Sequence, residues 1–171
     1  GDQNNGIVNR NHHNGTGFIR DVCETEEEVL DDIKQYMATL PAYDPKFFRV
    51  ADSVEPKYPA EDLYSLVPLN PRRIYPMEEV LARLFDNSEH MEFKPDFGPE
   101  IYCGLAKVDG FLCGFIANRQ GGLGNNYPKY ADYDGIGGKL YREGLIKMSE
   151  FVTFCGRDRV PMIWVQDATG I

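Results

Sequence analysis

Three histidines, four cysteines and one tryptophan are scattered over 171 residues, and none falls at the spacing of a metal ligand set or a nucleophile triad. The chain has no C-x-x-C, no H-E-x-x-H, no nucleophile elbow, no Walker loop and no G-x-G-x-x-G between a strand and a helix. Zinc frameworks, zinc-protease chemistry, hydrolase nucleophiles and phosphate cradles therefore have no motif to rest on. A basic patch is missing as well. The formal net charge is −9, the opposite of the clustered positive face that nucleic acid requires, so no nucleic-acid partner is expected. No apolar run reaches the length of a membrane span.

The cysteines that are present, Cys23, Cys103, Cys113 and Cys155, read as buried or half-buried thiols in a reducing compartment, which makes a cytoplasmic location the expectation. His12 and His13 sit in a polar, Gly/Asn-rich opening and read as solvated. His90, beside Asp86 and Glu89, reads as part of a surface turn. The chain opens on Gly1 and closes on a turn at Ile171, so an excised or processed piece of a longer protein is expected.

What the sequence does have is periodicity. Thr25 and Glu28 form a T-x-x-E capping box ahead of Val29, Leu30, Ile33, Met37 and Leu40, which predicts a helix ended by Pro41. Its acidic first turn, Glu26 to Glu28, suits the helix N-terminus. Prolines crowd the stretch to Pro76, where no period survives, and this predicts an extended linker. Pro76 then opens a second helix carrying Met77, Val80, Leu81, Leu84 and Phe85. EIYCGLAKV and FLCGFIANR flank Asp109-Gly110, a strong hairpin signal. Residues 121–138 read as a loop. A third helix follows with Tyr141, Leu145, Met148, Phe151, Val152 and Cys155 on one face. Met162 to Val165 is a continuous apolar run, predicted as a strand covered on both faces with Trp164 in the core. This order predicts an α/β unit.

One feature could carry chemistry without any ionisable side chain. The last strand runs straight into Asp167-Ala168-Thr169-Gly170-Ile171, and a strand ending in a glycine turn can aim successive backbone amides at one point. Such donors stabilise a developing oxyanion. The carboxylate of Asp167 is expected to cap nearby amides. Arg72 and Arg73 could attract phosphates, but as a pair in a Pro-rich stretch they read as solvated.

Taken together, three segments resemble one family. YPMEEVLARLFDNSEHMEFKPDFGPEIYCGLAKVDGFLCGFIANRQG is similar to the opening of the second domain of biotin-dependent acyl-CoA carboxyltransferases, including the hairpin end Gly114-Phe115-Ile116-Ala117-Asn118. KMSEFVTFCGRDRVPMIWVQDATGI resembles that family's helix, strand and Asp-x-x-Gly turn. HHNGTGFIRDVCETEEEVL resembles the end of its first domain. Two departures, Thr-Gly-Ile where Pro-Gly-Phe is usual and the longer loop GGLGNNYPKYADYDGIGGKLYREGL, look like the carboxyltransferase subunits of sodium-pumping decarboxylases.

The resemblance implies an α/β fold of crotonase/ClpP-like carboxyltransferase domains. Residues 1–40 would end the first domain, 41–75 would form the linker, and 76–171 would be the N-terminal half of the second. It implies transfer of the distal carboxylate of glutaconyl-CoA to biotin on a separate carrier subunit, leaving crotonyl-CoA. A membrane decarboxylase subunit and a homodimer of the full-length subunit would be the partners, with the enzyme peripheral to a membrane complex. It places the backbone amides of Gly170 and Ile171 as half of a biotin-side oxyanion hole, and Ala117 and Asn118 as candidate biotin-pocket residues. The isolated chain is expected to be inactive. The carboxyltransferase subunit of another acyl-CoA carboxylase (propionyl- or methylcrotonyl-CoA) stays open, as does a non-catalytic docking module. A single-domain crotonase-like hydratase fits the two-domain signature less well.

Overall fold

The computed structural model describes residues 15–17, 22–39, 51–70, 72–123 and 135–170. His12, His13, Leu40, residues 124–134 of the glycine-rich loop and Ile171 lie outside them.

Helix α1, Glu26–Thr39, begins as its capping box requires. Thr25 Oγ1 accepts the Glu28 N–H (3.2 Å), and Glu28 Oε2 accepts the N–H groups of Glu24 (2.8 Å) and Thr25 (3.3 Å). Its apolar stripe, however, faces outward: Leu30 and Met37 are 57% and 59% exposed. Only Tyr36 leans onto the core.

The expectation of an elementless linker needs correcting. Within it lie a 3-10 turn, Ala60–Asp62, and a short helix α2, Leu63–Leu66. Leu63, Leu66 and Tyr75 pack against the core. Proline fixes φ, but the apolar side chains between the prolines still gain by burial. The segment is also tied down by backbone contacts, from Ala51 N–H to Gly110 O (3.4 Å) and from Lys57 N–H to Ser88 Oγ (2.9 Å).

Helix α3, Met77–Leu81, follows Pro76 and is shorter than its periodicity suggests. Leu84 and Phe85 continue in turns, with Phe85 fully buried. After a 3-10 turn, Asp86–Ser88, come β1 (His90–Glu92), β2 (Ile101–Val108) and β3 (Phe111–Asn118). Helix α4, Arg142–Asp158, then leads to β4, Met162–Val165. The sheet order is β1-β2-β3-β4. The first two pairings are antiparallel, and β3–β4 is parallel across the α4 crossover.

The β2–β3 turn is Asp109-Gly110, both at positive φ (53° and 74°), a conformation whose twist matches that of the strands. Buried Asp86 clasps it, accepting the N–H groups of Asp109 (2.8 Å) and Gly110 (2.7 Å).

Alternation along the hairpin splits the core in two. Tyr102, Ala106, Cys113, Phe115 and Ala117 meet Met77, Val80, Leu81 and Phe85 on one face. Ile101, Cys103, Leu105, Leu112 and Ile116 meet Phe151 and Cys155 of α4 on the other. Helix and sheet approach closely at Gly114, where an added Cβ would stand 2.7 Å from Cys155 Sγ.

Two burial expectations are overturned. The buried face of α4 is Gly144, Lys147, Phe151 and Cys155, while Leu145 and Val152 are exposed. The stripe is rotated because Gly144 and Gly114 let the backbones approach, and Lys147 turns inward to polar partners. Trp164 is 51% exposed rather than core, because β4 is the edge strand among the described residues.

Candidate functional site

Strands β3 and β4 end side by side, with Ala117 opposite Val165. Beyond that rung the sheet has no further ladder bonds to give, so side chains must satisfy the backbone. Asn118 does this. Its Oδ1 accepts the Asp167 N–H at 2.7 Å, and its Nδ2 donates to the Asp167 carbonyl at 2.9 Å and to the Arg119 carbonyl at 3.2 Å. Gln120 Nε2 donates to the same Asp167 carbonyl at 2.6 Å.

The rest of the turn is anchored from the segment preceding α4. Thr169 donates to the Gly138 carbonyl through its N–H (2.6 Å) and its Oγ1 (3.0 Å), and Leu140 N–H donates to the Gly170 carbonyl at 3.0 Å. Gly170 forms a parallel bridge with Lys139. Its φ lies outside the left-handed region, and an added Cβ would meet nothing within 4 Å. Neither backbone strain nor packing among the described residues explains a glycine there.

The carboxylate of Asp167 does not cap amides as expected. Its Oδ2 accepts the Tyr75 hydroxyl at 2.8 Å. Partial burial first, and then this bond, push the Tyr75 phenol up to about 12. Ala117 is buried in the core at 1% exposure and, with Asn118, lines a cavity of about 50 Å³ between the sheet and α4. Leu140, Met148 and Trp164 complete its apolar wall. A second cleft of about 250 Å³ lies at the opposite sheet edge, between α1 and Met91, Phe93 and Phe154. Its wall is mostly apolar, with Asp32 and Glu92 the charged exceptions.

A charged cluster that no sequence pattern marks supports the base of the turn. Arg119 donates to the Pro99 carbonyl (2.6 Å) and to Glu78 (2.6 Å), stacks 3.7 Å over the Tyr102 ring, and lies 3.9 Å from Glu92. Tyr102 also donates to Glu78. Fully buried Lys147 donates to the Ile101 carbonyl at 2.7 Å and faces Glu92 at 3.6 Å. Burial pushes Glu92 up and Lys147 down, each toward its neutral form. Glu100, also fully buried, accepts the N–H groups of Tyr141 (3.3 Å) and Gly144 (3.1 Å) at the start of α4. Its carboxyl is raised, chiefly by burial, and its Oε2 has no partner among the described residues. A glutamate opposite a helix 40 residues away carries no local signature, and a lysine in a helix ordinarily reads as solvated.

His90 presents its ring edge-on to Phe115 (5.2 Å), and burial lowers its pKa. It makes no contact with the Asp167 turn. Among the described residues, no group of three or more metal-ligating side chains is present, and no helix is long and apolar enough to cross a membrane.

The arrangement is therefore a rigidly braced strand-to-glycine turn with no nucleophile. The Cys103, Cys113 and Cys155 thiols are pushed by burial to about 12, 11 and 11. Polarisation by backbone amides is the chemistry such a turn can offer.

Comparison with known proteins gives the family. A family model described as the carboxyl transferase domain matches residues 2–171. The chain is 59% identical over 162 residues to the glutaconyl-CoA decarboxylase subunit alpha of Acidaminococcus fermentans, covering 94% of this chain and 27% of that protein. It is 29% identical to the biotin-dependent 3-methylcrotonyl-coenzyme A carboxylase beta1 subunit of Mycobacterium tuberculosis, covering 93% and 27%. The fold matches the transcarboxylase 12S structure with methylmalonyl-coenzyme A bound at a TM-score of 0.74 and 22% identity, over 95% of this chain and 29% of that one. The chain thus spans about 27% of the length of these curated relatives. The expected fold class, α/β and of the crotonase-like carboxyltransferase kind, is the one observed.

Proposed function

The chain belongs to the carboxyl transferase domain family, and we propose that it forms part of a subunit that moves the distal carboxylate of glutaconyl-CoA to biotin, leaving crotonyl-CoA. The 59% identity to one decarboxylase alpha subunit, against 29% to the methylcrotonyl enzyme, is the observation that carries this choice of substrate. In this reading residues 1–40 close a first domain, 41–75 link it to a second, and 76–171 begin that second domain. The full subunit would work as a homodimer with a biotin carrier subunit. A membrane decarboxylase subunit would couple the reaction to sodium export in glutamate fermentation, with the subunit itself on the cytoplasmic side.

The braced turn suits the task. Biotin, borne on its carrier, supplies a ureido group that accepts the carboxylate. The turn would meet it with backbone amides at Gly170 and Ile171. Gly170 fits this role because nothing among the described residues fills the space a Cβ would take. Donors of this kind, held in place before the reaction, stabilise charge as it develops, at about 2.7–4 kcal/mol for a single donor. Ala117 and Asn118 form the wall beneath the turn. The Asp167 carboxylate ties the turn to the proline-rich segment by accepting the Tyr75 hydroxyl at Oδ2. On the acyl-CoA side, breaking the C–C bond would leave its electron pair on the acyl chain, delocalised onto the thioester oxygen, and the proton that the ureido nitrogen gives up would balance the one taken up at carbon in crotonyl-CoA. That oxygen would be met by residues outside this chain.

The test is glutaconyl-CoA-dependent carboxylation of free biotin by the full-length subunit, followed as crotonyl-CoA. Preferred turnover of 3-methylglutaconyl- or methylmalonyl-CoA, the carboxylated partners of methylcrotonyl- and propionyl-CoA, would replace this substrate assignment. Turnover by the isolated chain would contradict the assignment of an incomplete site.

A further inference from the structure

We infer that Asn118 is a positioning residue for carboxyl transfer, holding the peptide of Asp167 and through it the direction of the Gly170 amide. The inference rests on the function proposed above. A parallel ladder binds both backbone groups of a residue to its neighbour strand, and that ladder ends at the Ala117–Val165 rung. The Asn118 side chain supplies one rung more. Its Oδ1 takes the Asp167 N–H (2.7 Å) while its Nδ2 gives to the Asp167 carbonyl (2.9 Å), as a neighbouring peptide would.

Both Nδ2 hydrogens have acceptors, the second being the Arg119 carbonyl, and the residue is 3% exposed. Asn118 therefore acts through Asp167 rather than on a bound group. Arg119 steadies it from behind, its N–H on the Glu100 carbonyl (2.8 Å) and its guanidinium on the Pro99 carbonyl (2.6 Å). With Thr169 and Gly170 pinned to Gly138 and Leu140, the turn is gripped at both ends. Removing the Asn118 side chain leaves the Asp167 N–H without its acceptor and the Asp167 carbonyl with Gln120 alone, which loosens the peptide planes that lead to the Gly170 N–H.

The chemistry of the carboxamide makes a specific test. Asn118→Asp keeps the acceptor for the Asp167 N–H but, when ionised, opposes the Asp167 carbonyl with charge. When protonated, its carboxyl both donates and accepts, as the amide does. In the full-length subunit, with glutaconyl-CoA and free biotin, Asn118→Ala is expected to lower kcat about 10- to 100-fold. Its KM for glutaconyl-CoA and its affinity for crotonyl-CoA are expected to stay within about 2-fold, as for an effect confined to the turn. Asn118→Asp is expected to recover relative to wild type as pH falls through the carboxyl range. If Asn118→Ala does not fold, the pH ratio of Asn118→Asp still decides. A ratio flat in pH, a fully active Asn118→Ala, or a parallel loss of crotonyl-CoA affinity overturns the assignment while leaving the proposed function intact. A wild-type subunit that cannot carboxylate biotin overturns both.

Discussion

The phenol of Tyr75 donates a 2.8 Å hydrogen bond to Oδ2 of Asp167, tying the end of the proline-rich segment to the turn after β4 across 92 residues of sequence. Burial and this bond hold the phenol neutral up to about 12, above its ordinary value of 10.0. For an acid whose folded-state pKa is raised, the stabilisation is complete below the unfolded value. It is lost as pH rises through the folded one. Ultraviolet titration should show one phenol ionising near pH 12 that disappears in Tyr75→Phe. If the phenol lost in Tyr75→Phe is one that ionises at the ordinary 10.0, the bond is contradicted.

Lys147 is expected to be indispensable singly and replaceable jointly. Lys147→Met removes the 2.7 Å bond to the Ile101 carbonyl and the 3.6 Å approach to Glu92, a loss of about 1–3 kcal/mol. Lys147→Met with Glu92→Gln should regain much of it. Urea denaturation of both single variants and the double variant measures the coupling. Additive losses would show that the 3.6 Å approach has no energetic weight.

Glu100 sets a pH dependence of stability. Because burial raises its carboxyl, the fold favours the protonated form, and its contribution fades as pH climbs above the ordinary carboxylate range. Glu92 acts in the same direction. Glu100→Gln keeps an acceptor for Tyr141 and Gly144, so it should flatten the decline in denaturation midpoint between weakly acid and neutral pH. Glu100→Ala leaves those two N–H groups unpaired and should cost about 1–3 kcal/mol at all pH values. An unchanged pH slope in Glu100→Gln would count against a buried ionisable Glu100.

The close approach at Gly114 predicts overpacking with a specific remedy. Gly114→Ala brings a methyl to 2.7 Å from Cys155 Sγ and should cost about 1–3 kcal/mol. Adding Cys155→Ala should relieve it, and thermal unfolding of the pair reads the relief. A harmless Gly114→Ala would place α4 farther from the sheet than described.

Local signals were the legible ones. The capping box at Thr25 and Glu28 and the Asp109-Gly110 turn each involve a few adjacent residues, and both appear as expected. Periodicity located α1 and α4 but not their environment. An apolar stripe says that a face is apolar, not what covers it, so Leu30 and Met37 are exposed and the buried side of α4 is rotated onto Lys147. The strand-to-glycine turn was visible as a pattern. Its bracing was not, because Asn118 meets Asp167 across 49 residues and Tyr75 meets it across 92. Nothing in a single sequence orders contacts at that range.

In the proposed function the amide at Gly170 serves carboxyl transfer. Its most direct test is the rate of glutaconyl-CoA-dependent carboxylation of free biotin by the full-length subunit carrying Gly170→Pro, which has no N–H at that position. The expected result is a loss of about 10²- to 10³-fold with binding of crotonyl-CoA and of the biotin carrier subunit retained. A variant that turns over at the wild-type rate would contradict it.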